Sequence, residues 1–200
     1  SDRLGRLRLR TLSQKVQLMT NNRRAVFLDH PSLDQGDLDL SELREVFSDL
    51  QLCEQTSADQ VVERLQGAQV AISNKILLNA QTLAACPDLK LILIAATGTN
   101  NVDLAAARAQ GITVSNCQGY GTPSVAQHTI MLLLNLATRL KDYQKDVDAG
   151  LWQQAKQFCL LDYPIVELEG KTLGLLGHGA LGGAVARLAE ASGMRVVLGA

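Results

Sequence analysis

Short apolar runs recur along this chain, each followed by a segment with the apolar spacing of a helix, and the pair repeats about every 20 to 25 residues. Residues 24–29, 69–73, 90–96 and 112–115 read as buried strands, because they are short, continuous and rich in Val, Ile and Leu. Between them, residues 41–50 place Leu43, Val46, Phe47 and Leu50 on one helical face, and 58–65, 80–85 and 103–110 are further helical patterns. Pro87 stops the third of these helices and Gly111 closes the fourth. A helix between successive strands serves as a crossover, so the strands run parallel and helices cover both faces of the sheet. The fold class is therefore α/β, and this much of the chain makes a domain of ordinary size.

A different region follows. One long helix is expected over residues 124–148, with Pro123 beside its start and Ser124 and Gln127 at capping-box spacing. Its first half, including Ile130, Met131, Leu132, Leu133 and Leu134, is apolar enough to be buried, and its second half is charged. Residues 171–176 form another buried strand, 183–192 a helix closed by Gly193, and 195–198 the start of one more strand.

Between that strand and helix lies Gly177-His178-Gly179-Ala180-Leu181-Gly182, a G-x-G-x-x-G pattern in the strand–turn–helix setting that gives the pattern meaning. Gly177 permits the tight turn, Gly179 lets the backbone approach a pyrophosphate, and Gly182 lets helix and strand pack closely. The N–H groups at the helix start, near Ala180 and Leu181, suit phosphate oxygens. The implied cofactor is NAD or NADP. The residue that separates the two ends the next strand, about 20 residues past the glycines, at or just beyond Ala200.

Two other loops carry polar groups. Residues 95–103 (Ala-Ala-Thr-Gly-Thr-Asn-Asn-Val-Asp) join a strong strand to a helix. Gly98 allows an open loop with converging N–H groups, and Asn100 or Asn101 can cap the helix, so the loop is either an anion seat or a capped turn. The anion seat requires a particular backbone conformation at Gly98. Residues 116–129 place two glycines around Tyr120 and hydroxyls at Thr122 and Ser124, as a hinge before a helix or an ordinary linker.

These three segments together resemble the D-2-hydroxyacid dehydrogenase family, most of all its glycerate dehydrogenase (hydroxypyruvate reductase) branch. The resemblance covers residues 24–200 and implies two doubly wound parallel-sheet domains, a flavodoxin-like substrate domain and a Rossmann cofactor domain, with the active site in a cleft. Domain boundaries are expected at 1–23 for a leader or extension, 24–120 for the substrate domain, and 121–200 for the hinge helix and a first, incomplete part of the cofactor domain. By resemblance, the backbone at Thr97, Gly98 and Thr99 holds the substrate carboxylate, with Asn74 and Lys75 near the cleft mouth. Thr122 lies near the cofactor, and Gly177, His178, Gly179, Ala180, Leu181 and Gly182 hold its pyrophosphate. The family often has an acid where this chain has Gln127.

The resemblance implies hydride transfer between NAD or NADP and a small 2-oxo or 2-hydroxy acid, with hydroxypyruvate or glyoxylate as substrate. The family's catalytic Arg, Glu and His are expected beyond Ala200, so His30, His128 and His178 are assigned no catalytic role and the 200 residues alone are expected to be inactive. The alternatives are another dehydrogenase of the family, acting on phosphoglycerate or formate, or a dinucleotide-sensing module of the corepressor kind.

Charge and cysteines narrow the partners. In residues 1–18, Arg3, Arg6, Arg8, Arg10 and Lys15 stand against Asp2 alone, a net +4, which leaves −5 for the rest of a chain whose total is −1. An acidic body argues against nucleic acid as a partner. No run approaches the ~20 apolar residues of a membrane span. The basic start reads as an upstream extension, with translation beginning at Met19. The four cysteines show no metal-ligand spacing and read as reduced thiols of a cytoplasmic protein, without a metal. A homodimer through the cofactor domain completes the expectation from the family.

Overall fold

The computed structural model describes residues 23–199. The leader expected over 1–23 lies outside the described residues except for Arg23. The described residues fall into two compact units, divided between Gln118 and Gly119.

The first unit is a five-stranded parallel sheet: β1 (Arg24–Phe27), β2 (Asp49–Leu52), β3 (Val70–Ser73), β4 (Leu91–Ile94) and β5 (Thr113–Asn116), in the order β2-β1-β3-β4-β5. That is the flavodoxin-like order, with its reversal between β1 and β3. Helices α1 (Ser41–Val46), α2 (Val61–Arg64), α3 (Ala80–Ala84) and α4 (Leu104–Ala109) complete the unit. Both faces of the central strands are covered, which is why those strands are apolar throughout rather than alternating. Val26, Leu28, Ala71, Ile92 and Ile94 share one cluster with Val61, Leu65, Leu83 and Ala107. Ala25, Phe27, Val70 and Ile72 share the other with Phe47, Leu43 and Val46.

Strand β2 departs from the sequence reading, which placed residues 41–50 in one helix. The helix ends at Val46, and Phe47 turns to an extended backbone (φ −119°, ψ 100°). Leu43 and Val46 reach the second cluster from the helix, while Leu50 and Leu52 reach it from the strand. The same apolar positions satisfy either period, and pairing with β1 decides.

The second unit contains α5 (Thr122–Thr138), α6 (Leu140–Asp148), α7 (Leu151–Gln154), β6 (Thr172–Leu176), α8 (Ala180–Ala191) and β7 (Arg195–Gly199). Strands β6 and β7 pair in parallel, with α8 as the crossover. Ala126 on α5 packs against Ala184 and Val185 on α8, with Leu173 and Leu175 of β6 beside them. The small alanines let the two helices approach.

Three expectations fail here. The single helix over 124–148 is broken at Arg139, whose left-handed backbone (φ 54°, ψ 34°) ends α5 and begins α6. Arg139 is held in that uncommon conformation by Asp142, at 2.6 Å, and by the face of Tyr163. The capping box is absent too: Gly121 is the N-cap and no side chain caps the helix. Nor is the apolar half of α5 buried among the described residues, for only Ala126 and Ala137 are, and Leu132, Leu134 and Leu136 are exposed.

Candidate functional site

In the first unit the candidate residues collect at the carboxyl ends of β3 and β4, neighbouring strands in register from Ser73 beside Ile94. Open parallel sheets bind ligands at this edge, near the point where strand order reverses. Asn74 and Lys75 directly follow β3, and Thr97, Gly98 and Thr99 follow β4 after two alanines.

Side chains join the two loops. Buried Asn101 donates its Nδ2 to the Ile76 carbonyl at 3.0 Å, and its own carbonyl accepts the Leu78 N–H at 2.7 Å. The Asp103 N–H reaches the Leu78 carbonyl at 3.0 Å. From β5, Asn116 Nδ2 donates to the Thr97 carbonyl at 2.7 Å, and the Cys117 N–H to the Ala96 carbonyl at 3.1 Å. The carbonyls of Ala96, Thr97 and Asn101 are thus tied to the protein. Among the described residues, the N–H groups of Thr97, Gly98 and Thr99 donate no hydrogen bond. Thr97 and Gly98 are exposed, so those donors are available to a small anion.

Two details of the sequence reading change. Neither Asn100 nor Asn101 caps the following helix; Asp103 does, accepting the Ala106 N–H at 2.9 Å. Gly98 does not occupy the left-handed region, so its backbone is open to other residues. A Cβ there would meet Asn100 Oδ1 at 3.1 Å, a tight contact with a side-chain end that can move.

Asp29 is the residue that sequence reasoning missed. It stands just past β1, is only 7% exposed, and accepts the Asn74 N–H at 2.9 Å and the Lys75 N–H at 2.7 Å. Its one trace in the sequence is an acid at the end of an apolar strand.

In the second unit the glycine turn has the geometry its pattern predicts. Gly177 lies at φ +86°, a conformation glycine adopts without penalty. A Cβ on Gly182 would stand 2.3 Å from the Gly177 carbonyl oxygen, which no side chain can occupy. A Cβ on Gly179 would meet nothing within 4 Å, so the space beside it is open. Gly179 is the N-cap of α8 with no side-chain cap, which leaves the first-turn N–H groups at Ala180 and Leu181 unfilled by the chain. An open cradle beside uncapped amides fits the pyrophosphate of a dinucleotide.

His178 is exposed in this turn. Thr122 opens α5 and lines a groove with Ala184, Arg187 and Leu188, beside the second turn of α8; no hydrogen bond joins it to the glycine turn among the described residues. His128 is exposed on α5, and His30 stands 2.9 Å from Asp34. Among the described residues, no three His, Cys, Asp or Glu side chains gather to hold a metal ion, and no helix is long and apolar enough to cross a membrane. All four cysteines are unpaired; Cys53 and Cys86 are buried, and burial pushes the Cys86 thiol pKa up.

Comparison with known proteins places this geometry. Residues 26–196 match the D-isomer specific 2-hydroxyacid dehydrogenase, catalytic domain. The chain is 45% identical to a glycerate dehydrogenase of Methylorubrum extorquens, over 88% of this chain and 55% of that protein. It is 35% identical to a hydroxypyruvate reductase of Blautia hydrogenotrophica, over 86% and 54% respectively. A D-lactate dehydrogenase from Aquifex aeolicus, solved with NAD and lactic acid, superposes with a TM-score of 0.71 at 28% identity, over 88% of this chain and 50% of that one. The chain therefore spans about half the length of the relatives it matches.

Proposed function

Since the chain belongs to the D-isomer specific 2-hydroxyacid dehydrogenase family, we propose that the whole protein is an NAD(P)-dependent oxidoreductase that reduces hydroxypyruvate or glyoxylate to the 2-hydroxy acid. The observation that carries this reading is the glycine turn, where the space beside Gly179 is open and the amides of Ala180 and Leu181 lack a capping side chain. The relatives named glycerate dehydrogenase and hydroxypyruvate reductase support the choice of substrate.

The roles divide between the units. The amides at the start of α8 hold the pyrophosphate, with Gly177, His178, Gly179 and Gly182 shaping the turn and Thr122 near the cofactor. The bound nicotinamide supplies the hydride. The N–H groups of Thr97, Gly98 and Thr99 hold the substrate carboxylate, and the Lys75 ammonium, which makes no ion pair among the described residues, adds positive charge at the same sheet edge. Oriented this way, the acid presents its 2-oxo carbon in a fixed position, and such positioning contributes to rate.

We place the protein in the cytoplasm, consistent with four unpaired cysteines. We assign it a homodimer formed through the second unit, which would cover exposed apolar residues such as Leu136, Phe158 and Leu161.

The test is steady-state turnover by the full-length protein. NADH or NADPH should be oxidised only when hydroxypyruvate or glyoxylate is present, and a light-scattering mass should equal two chains. Tight dinucleotide binding with no turnover on any 2-oxo acid would replace this reading with a dinucleotide-sensing module.

A further inference from the structure

The sheet of the first unit reverses its order between β1 and β3, and Asp29 stands at that reversal. The residue is 7% exposed, and among the described residues no cation pairs with its carboxylate. Burying a carboxylate without a cation is costly unless hydrogen bonds compensate it. Here the compensation is two successive backbone amides: Asn74 N–H lies 2.9 and 3.2 Å from the two oxygens, and Lys75 N–H lies 2.7 Å from Oδ2. Charge-assisted bonds of this length are strong and directional.

The same loop is held at three further points. Ser73 Oγ accepts the Ile76 N–H at 3.0 Å, Asn74 Nδ2 donates to Ser32 Oγ at 3.1 Å, and Asn101 fastens the Ile76 carbonyl. Asp29 is the member of this set that carries a charge, and it satisfies that charge through the backbone of Lys75 rather than through its ammonium. The Lys75 side chain remains exposed while its own main chain is fixed. Had the ammonium paired with Asp29, the positive charge would be neutralised inside the fold and lost to a ligand.

We propose that Asp29 is a positioning residue for the 2-oxo acid: it fixes the Asn74–Lys75 backbone at the carboxyl end of β3, so that Lys75 presents its charge beside the 97–99 loop. This rests on the reading of the protein as a 2-oxo acid reductase.

The test is Asp29→Asn in the full-length protein. The variant keeps the size of the side chain and one acceptor oxygen, but sets an NH2 group against one of the two N–H donors. Hydroxypyruvate KM should rise about tenfold, as expected for one lost charge-assisted bond acting on binding. The dissociation constant for NADH should stay within about twofold, because its seat lies in the other unit. Hydrogen exchange should quicken at the Asn74 and Lys75 amides. In a Lys75→Ala background, Asp29→Asn should raise KM little further, because the two act as one device. A general loss of stability would move NADH binding and substrate KM together and would overturn the proposal. So would faster exchange at both amides with an unchanged KM, or full additivity with Lys75→Ala. If the unsubstituted protein reduces no 2-oxo acid, the functional reading fails first and the proposal falls with it; a working enzyme with an unmoved KM defeats the proposal alone.

Discussion

The glycine turn of the second unit and the 95–103 loop of the first both leave backbone N–H groups without partners, yet they are built in opposite ways. The turn at 177–182 works by the absence of side chains: a Cβ at Gly182 would strike the Gly177 carbonyl, and the space beside Gly179 is empty. The 95–103 loop works by their presence. Asn101, within the loop, fastens the Ile76 carbonyl of the loop after β3, Asn116 reaches from β5 to the Thr97 carbonyl, and Asp29 holds the amides of Asn74 and Lys75. A site made by exclusion needs particular residues at fixed spacing along one stretch of chain. A site made by tethering needs polar residues far apart in sequence, placed by the fold.

The contrast can be broken by substitution. Gly182→Val should have the largest effect, since its Cβ would stand 2.3 Å from a backbone oxygen that cannot yield cheaply. A destabilisation of about 3 kcal/mol, at the upper end of ordinary overpacking, should appear in denaturant unfolding, with loss of NADH binding. Gly179→Val separates binding from folding. Its side chain enters open space, so unfolding should be nearly unchanged while NADH affinity falls about 10- to 150-fold, the worth of one charge-assisted bond of about 1.5–3 kcal/mol.

On the tethered side, Asn101→Ala should cost about 1–3 kcal/mol by leaving the Ile76 carbonyl without its partner. It should also raise KM for the 2-oxo acid with little change in NADH affinity. Equal changes in both would mean that the tether supports the fold at large rather than the substrate loop.

The smallest effect concerns pH. Asp34 accepts N–H bonds from Leu38, Gly36 and Asp37, and the bond from Leu38 does most to hold its carboxyl below the ordinary value of 3.8. A depressed folded pKa gives stability that is present above the unfolded value and lost as pH falls through the folded one. Asp34→Asn should therefore flatten the acid limb of the melting temperature below about pH 4, by lowering the melting temperature slightly at neutral pH and leaving it nearly unchanged in acid.

This difference in construction also explains what could be read from the sequence. The parallel sheet was legible because both of its faces are covered, so that 70–72 and 91–96 appear as unbroken apolar runs. The glycine turn was legible because every contact it needs lies within six residues. Strand β2 was not, because Leu43, Val46, Phe47 and Leu50 fit a helix as well as they fit a helix followed by a strand. The break at Arg139 depends on Asp142 and Tyr163, and the side chain of Tyr163 arrives only through the fold. Asn101 resembled a helix cap because its tie to Ile76 spans 25 residues, and Asp29 resembled the end of a strand because its partners are 45 and 46 residues away.

Amide-resolved NMR titration of the full-length protein tests the division of labour most directly. Addition of NADH alone should shift the backbone amides of Ala180 and Leu181 and leave those of Thr97, Gly98 and Thr99 in place. Subsequent addition of an unreactive 2-oxo acid analogue should then shift the Thr97, Gly98 and Thr99 amides, with Lys75 beside them. The account is contradicted if the acid moves the glycine-turn amides instead, or if residues 97–99 remain unmoved at saturating acid.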